Sequence, residues 1–252
     1  MTADADTKIP RLTFADDWPR IASAVTYDPD REAFIADVLS RMSLEEKVGQ
    51  MIQPDLREVT PGDVTEYKLG TILNGGGAFP GNDKYATAAD WAQAADSYYR
   101  AGDRAYEGRG FRVPFAWATD AVHGHNNVFG ATLFPHNIGL GAARDPDLVR
   151  RIGAATAAEI TATGLDWTFA PTVAVPRDYR WGRVYEGYSE DPAVVHAYAS
   201  AMVDGLQGHG GERFGAGKVV STVKHWVGDG GTSGGVDRGE NHYTEDYLIN
   251  LH

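Results

Sequence analysis

Short apolar runs alternate with amphipathic segments along most of the chain. Apolar residues recur with helical spacing in four segments, residues 30–42, 87–107, 147–163 and 192–206. Apolar runs of strand length or slightly longer cover residues 67–73, 113–118, 165–175 and 219–223. Such alternation is typical of a parallel sheet whose strands are joined by helical crossovers, so the sequence predicts an α/β fold.

Local sequence signals predict where further helices begin and end. Ser43 is followed three residues later by Glu46, a capping box that predicts a helix running to Met51. Gly164 predicts the end of the helix before it, because glycine readily adopts the left-handed conformation found just after helices. A last helix is predicted to begin at Thr244.

The number of predicted strands bears on the architecture. The pattern contains four or five strands, or six if residues 49–56 also pair, whereas a closed (β/α)8 barrel needs eight. We therefore expect a TIM-barrel-like domain over residues 31–252 that is truncated before its last strands. Residues 1–30 show little periodicity and are predicted to form an extended lead-in.

Composition narrows the classes of function. The chain of 252 residues has a net charge of −12, which argues against a nucleic-acid partner. It has no cysteine, which excludes disulfides and thiolate chemistry. Its apolar runs are too short for a membrane span, so no membrane partner is expected. The first ten residues lack a signal-peptide pattern, which suits either a cytoplasmic protein or the mature form of an exported one.

One polar loop follows the strand predicted over residues 113–118 and contains Asp120, His123 and His125. A carboxylate at a strand end can accept two hydrogen bonds from a vicinal diol of a sugar. The same spacing of Asp and His permits a divalent metal site. A third interpretation is that the two imidazoles only shape the loop, and the spacing alone leaves all three open.

Two further clusters contain hydrogen-bond donors. Residues 177–183 hold several arginines, whose rigid fork of donors suits sugar oxygens or a carboxylate partner such as Asp178, Glu186 or Glu190. Lys224 and His225 follow the strand predicted over residues 219–223 and precede a glycine-rich loop. A phosphate-binding loop has its lysine after the glycines, so this order disfavours phosphate.

Five motifs in this order resemble the first domain of glycoside hydrolase family 3, and in particular its exo-acting β-glucosidase and β-glucan glucohydrolase branch. The motifs are MSLEEKVGQ at residues 42–50, DAVHGHNN at 120–127, TLFPHN at 132–137, RWGR with YEGYSED at 180–191, and KHWVGDGG at 224–231. The β-N-acetylglucosaminidase branch is disfavoured, because Val227 and Asp229 stand where that branch has Pro and His.

The resemblance implies a pocket for a non-reducing terminal glucose, held by Asp120, Arg183, Lys224 and His225, with Glu240 as a further sugar contact. It implies retaining hydrolysis of a β-glucoside or β-glucan oligosaccharide, without a cofactor, by an enzyme that is periplasmic or secreted. The nucleophilic Asp is expected beyond His252, and the acid/base is expected from a second domain.

We therefore expect that this chain contains no catalytic residue and that it is inactive on its own. The second half of the barrel and the second domain would come from the same or another chain. Two alternatives stay open: a non-catalytic sugar-binding half-barrel, and a metal-dependent hydrolase that uses Asp120, His123 and His125.

Overall fold

The central sheet has four parallel strands in the order in which they occur along the chain. The computed structural model describes residues 25–252, and within them the strands are β1 (Thr71–Asn74), β2 (Ala116–Thr119), β3 (Trp167–Thr168) and β4 (Val220–Ser221). Asp55 adds a single parallel bridge to Leu73, so the additional strand considered for residues 49–56 is reduced to one pair. The predicted α/β class with a parallel sheet is confirmed.

Helices connect and cover these strands. They are α1 (Pro29–Arg41), α2 (Leu44–Met51), α3 (Pro61–Tyr67), α4 (Ala88–Ala105), α5 (Asn137–Ala143), α6 (Pro146–Ala162), α7 (Pro192–Gln207) and α8 (Glu245–Leu251). The lead-in predicted for residues 1–30 falls mostly outside the described residues, and α1 begins at Pro29.

The helix ends follow the local signals in the sequence. The hydroxyl of Ser43 accepts from the Glu46 amide at 3.2 Å, and the Glu46 carboxylate accepts from the Ser43 amide at 2.9 Å, which confirms the capping box. Helix α6 ends at Ala162, and Gly164 follows with a φ of +82°, which confirms its role as a helix stop.

Two short helices were not predicted. Helix α3 includes Tyr67, which was predicted to begin a strand. The capping box of Thr60 and Asp63 at the start of α3 is a sequence signal that was overlooked. Helix α5 contains Gly139 and Gly141, which lower helix propensity and weaken the sequence signal.

Strand β3 is much shorter than the predicted strand over residues 165–175. Only two of its residues pair with both neighbouring strands. Pro171 has no amide hydrogen and therefore interrupts the ladder, since every inner strand needs its N–H donors. The segment still runs beside the next one, because the Val173 amide donates to the Lys224 carbonyl at 2.8 Å.

The core lies between the sheet and helices α4, α6 and α7. Trp91 from α4 is fully buried against Trp117 from β2, with ring centroids 6.0 Å apart. Helices α6 and α7 approach closely at a glycine, because a Cβ atom on Gly205 would lie 2.3 Å from the Arg150 carbonyl oxygen.

The carboxyl ends of the strands form one edge of the sheet, and the polar loops begin there. Asn74 ends β1 with no exposed surface, and its amide donates to the Thr119 hydroxyl at 3.0 Å. The Asn74 side chain also accepts from the Trp117 indole at 2.9 Å, and its carbonyl accepts from the Asp120 amide at 3.1 Å. These bonds fix the first residue of the loop that follows β2.

Large apolar side chains are exposed on and just after β4. They include Val220, Val223, Trp226, Val227 and Val236, with exposed fractions from 42% to 81%. None of the helices over residues 25–252 has both the length and the apolar character needed to cross a membrane.

Candidate functional site

Asp120 and Lys224 meet at the carboxyl edge of the sheet. The Lys224 ammonium lies 2.7 Å from Asp120 Oδ1, with the lysine side chain 12% exposed and the aspartate 32% exposed. Backbone hydrogen bonds fix both residues as well: the Lys224 amide donates to the Pro171 carbonyl at 3.0 Å, and the Asp120 amide donates to the Asn74 carbonyl at 3.1 Å. The half-buried carboxylate thus keeps a charged partner and one side open to solvent.

Arg183 is held by a fork of hydrogen bonds to Glu186. Its Nε and Nη2 atoms donate to the two carboxylate oxygens at 2.7 and 2.8 Å. Only 9% of the Glu186 side chain is exposed, and the Asn137 amide donates to the Glu186 carbonyl at 2.8 Å. The Glu186 carboxylate raises the pKa of Arg183, and this fixed, bidentate geometry aims the remaining N–H groups of the guanidinium.

His225 links the arginine to a second carboxylate. Its Nδ1 lies 2.7 Å from Asp229 Oδ2, and its Nε2 lies 3.3 Å from Arg183 Nη2. A guanidinium can only donate, so these contacts assign the proton to Nδ1, where it is donated to Asp229, and the lone pair to Nε2. Asp229 is therefore a positioning residue for the imidazole.

The structure thus brings four of the five predicted sugar contacts together. The side chains of Asp120 and Lys224 are in contact, His225 is the next residue after Lys224, and the His225 ring contacts the Arg183 guanidinium. The Glu240 side chain is 84% exposed, and its carboxylate lies 3.3 Å from His242 Nε2. Its role in sugar binding stays a prediction.

A tryptophan ties the arginine loop to the last glycine-rich loop. The Trp181 indole, which is almost fully buried, donates to Asp237 Oδ1 at 3.0 Å. This hydrogen bond lowers the pKa of Asp237. The carboxylate pairing predicted for the arginines is confirmed for Arg180 with Asp178 and for Arg183 with Glu186, whereas Glu190 receives Arg177 only at its backbone carbonyl.

The metal site predicted as an alternative from Asp120, His123 and His125 is not formed. His125 is fully buried, and its Nε2 lies 2.8 Å from the Thr163 hydroxyl, on the core side of the loop. Burial lowers the pKa of His125 to about 4. Across residues 25–252, no three His, Asp or Glu side chains are arranged to hold a metal ion. The interpretation of His125 as a loop-shaping residue is the one that the structure supports.

Sequence reasoning overlooked some residues that shape the site. Asp229 was used only to distinguish two branches of the family, although its place four residues after His225 in a glycine-rich loop was a usable signal. His136 was seen only as part of a motif, yet its imidazole contacts His123.

Comparison with known proteins identifies the family. Residues 43–252 match the family model described as the glycosyl hydrolase family 3 N terminal domain. The chain belongs to glycosyl hydrolase family 3. The chain is 32% identical over 225 residues to a lysosomal beta glucosidase of Dictyostelium discoideum, covering 82% of this chain. It is 31% identical over 229 residues to a periplasmic beta-glucosidase of Salmonella typhimurium, covering 86% of this chain.

A solved structure has a similar fold over most of this chain. The exo-1,3/1,4-beta-glucanase of a Pseudoalteromonas species superposes with a TM-score of 0.88 at 50% identity, covering 93% of this chain and 29% of that protein. The chain also spans only 27% of the length of each of the two curated relatives. Its likeness to family 3 proteins therefore concerns one part of much longer molecules.

Proposed function

We propose that this chain is the sugar-binding part of a retaining exo-β-glucosidase or β-glucan glucohydrolase that holds a non-reducing terminal glucose. The observation that carries the proposal is the convergence of Asp120, Arg183, Lys224 and His225 at the carboxyl edge of the parallel sheet. Substrate and active-site residues in parallel α/β folds lie at this edge.

The chemistry of these side chains suits a neutral, hydroxyl-rich ligand. The Asp120 carboxylate accepts hydrogen bonds from two neighbouring hydroxyls, while Lys224 uses one of its three protons on Asp120 and has others for sugar oxygens. Arg183 keeps Nη1 for a ligand, because Nε and Nη2 are engaged by Glu186. Charge-assisted bonds to sugar hydroxyls promote hydrolysis when they strengthen in the transition state.

Bond cleavage needs two further carboxyl groups about 5 Å apart, one as nucleophile and one as acid/base. Asp229 and Asp237 are the nearby candidates, but each is bound to a side chain of the site, His225 or Trp181. We therefore assign both catalytic carboxyl groups to parts of the enzyme outside this chain, with the acid/base in a second domain, and expect residues 1–252 alone to be inactive.

The architecture proposed for the whole enzyme is a (β/α)8 barrel to which this chain contributes the first half. Three features support it: the sequential order of the parallel strands, the exposed apolar side chains beside β4, and the short coverage of the relatives. We place the enzyme in the periplasm or outside the cell, in line with the periplasmic beta-glucosidase relative.

The proposal is tested by hydrolysis of an aryl β-glucoside by the complete enzyme with Asp120→Ala. Loss of two charge-assisted hydrogen bonds, each contributing about 1.5–3 kcal/mol, lowers kcat/KM by about 10²- to 10⁴-fold. Asp103→Ala is the control, because Asp103 is an exposed partner of Arg112. Near-wild-type kcat/KM for Asp120→Ala contradicts the proposal. Glucose binding without hydrolysis supports the non-catalytic alternative.

A further inference from the structure

Two aromatic rings are exposed at the edge of the sheet that carries the proposed sugar site. Tyr85 and Phe129 are 58% and 62% exposed, and their ring centroids lie 5.3 Å apart at an interplanar angle of 78°. Tyr85 belongs to the loop that follows β1, and Phe129 belongs to the loop that follows β2 and contains Asp120. Both loops leave the carboxyl ends of parallel strands, so the two rings and Asp120 belong to the same side of the sheet.

The residues next to the two rings hold them at the surface. Ala86, which follows Tyr85, is buried, and so is Val128, which precedes Phe129. The turn at Phe129 is closed by a hydrogen bond of 3.1 Å from the Ala131 amide to the Val128 carbonyl. Both rings are therefore carried by anchored backbone, and they face solvent although their neighbours are buried in the core.

A buried asparagine joins the two loops to each other and to Asp120. Asn127 is 5% exposed, and its Oδ1 accepts from the amide of Gly77, in the loop after β1, at 3.3 Å. Its Nδ2 donates to the Asp120 carbonyl at 3.1 Å. Phe129 follows Asn127 by two residues. The ring pair and the proposed glucose contact therefore belong to one hydrogen-bonded part of the fold.

The chemistry of the ring pair suits the apolar face of a sugar. Every hydroxyl of a β-linked glucose unit is equatorial, so both faces of the pyranose ring present C–H groups. An aromatic ring carries negative charge on its face, which attracts such C–H groups. The Lys84 ammonium lies 4.9 Å from the centroid of the Tyr85 ring and supplies hydrogen-bond donors for the hydroxyls of a stacked sugar. Exposed apolar surface with polar groups at its rim is typical of a binding site.

We propose that Tyr85 and Phe129 form a platform that binds glucose units of a β-glucan chain outside the pocket of Asp120. The inference rests on the proposed function, because the pocket takes only the terminal glucose and the platform adds a preference for a polymer over a short glucoside. At an angle of 78° the two rings cannot both lie flat under one sugar, so one ring stacks on a glucose unit and the other supports it from the side. An enzyme held on the chain by the platform meets chain ends at a raised effective concentration.

The platform is tested by electrophoresis of the complete enzyme in gels that contain laminarin or hydroxyethyl cellulose, which are soluble β-1,3- and β-1,4-linked glucans. We expect the dissociation constant for at least one of these glucans to rise about fivefold or more in Phe129→Ala, as is common when an aromatic anchor is removed from a binding surface. Phe129→Tyr keeps the ring and should bind like the wild type. The matched control is Tyr67→Ala, because Tyr67 is also 58% exposed but ends α3, ahead of the amino end of β1.

Equal retention of the wild type and Phe129→Ala overturns the proposal, as does a wild type that neither glucan retains. Equal weakening in Phe129→Tyr or in Tyr67→Ala also overturns it. Unchanged retention with a lower melting temperature in Phe129→Ala is the result expected if another part of the enzyme covers the rings, and it overturns the platform as well. Titration of the wild type with glucose separates the two proposals: absence of glucose binding contradicts the proposed function, whereas the glucan comparison still decides the platform.

Discussion

Acid is expected to weaken the fold through one buried imidazole, that of His125. The Thr163 hydroxyl donates to the Ile160 carbonyl at 2.7 Å, so its oxygen accepts from His125 Nε2 at 2.8 Å. That assigns the proton of the neutral ring to Nε2 and the lone pair to Nδ1. Nδ1 is buried, and none of the residues 25–252 provides a partner for it. Protonation at Nδ1 therefore creates a buried charge with an unsatisfied donor.

The magnitude follows from the difference between the two pKa values. Burial lowers the pKa of His125 from 6.5 in the unfolded chain to about 4 in the fold. Below pH 6.5 the unfolded chain takes up a proton that the folded protein does not, so the free energy of unfolding falls as pH falls. At about 1.4 kcal/mol per pKa unit, the loss between pH 6.5 and 4 reaches about 3 kcal/mol.

The assay compares urea unfolding of the wild type and His125→Gln at several pH values between 7 and 4. Other titrating groups are common to both proteins and cancel in the difference. The stability advantage of the wild type should shrink by about 3 kcal/mol over this range. His196→Gln removes an exposed imidazole and should leave the difference flat. Parallel pH curves for the wild type and His125→Gln would refute the reasoning.

Packing and a buried hydrogen bond give further predictions. Gly141→Ala would place a Cβ atom 1.7 Å from the Tyr188 carbonyl oxygen and should cost at least about 1–3 kcal/mol, read as a lower melting temperature. Gly139→Ala on the same helix meets only one atom, at 3.8 Å, and should be neutral or stabilising; equal losses would contradict the packing argument. Tyr99→Phe removes a 2.6 Å hydrogen bond to the half-buried Asp166 carboxylate and should cost about 1.5–3 kcal/mol at pH 7. Burial raises the pKa of Asp166, so the carboxylate is protonated as the solution becomes acidic, and the stability cost of Tyr99→Phe should shrink. A stability cost that is independent of pH would contradict this role of the hydrogen bond.

The fold class was predictable because it depends on local patterns. Helical periodicity and the Ser43 capping box describe properties of neighbouring residues, and the structure confirms them. Strand extent was not predictable, since it depends on a partner strand that the sequence does not identify. Residues 165–175 are mostly apolar, yet Pro171 has no amide hydrogen to continue the ladder beyond the Phe169 amide, which donates to the Thr119 carbonyl at 3.0 Å.

The residues of the candidate site were likewise predictable one by one, whereas most of their contacts were not. Asp120 and Lys224 were each recognisable at a strand end, but they are 104 residues apart in the chain, and only the sheet order brings them into contact. Of the partners of His225, Asp229 lies four residues further along the same loop, whereas Arg183 reaches it from another loop and was harder to predict. The direction of the His125 side chain depended on tertiary packing against Trp91, for which the spacing of the motif carries no signal.

The central claim is that the paired groups at the sheet edge bind glucose, and calorimetric titration of the complete enzyme with glucose tests it most directly. Lys224→Met should weaken glucose binding by at least about tenfold, since it removes a charged donor worth about 1.5–3 kcal/mol. Lys218→Met is the matched control, because Lys218 donates to the Gly205 carbonyl at 3.1 Å, away from the paired groups. Wild-type affinity in Lys218→Met with loss in Lys224→Met is the predicted result. Wild-type affinity in Lys224→Met would contradict the account.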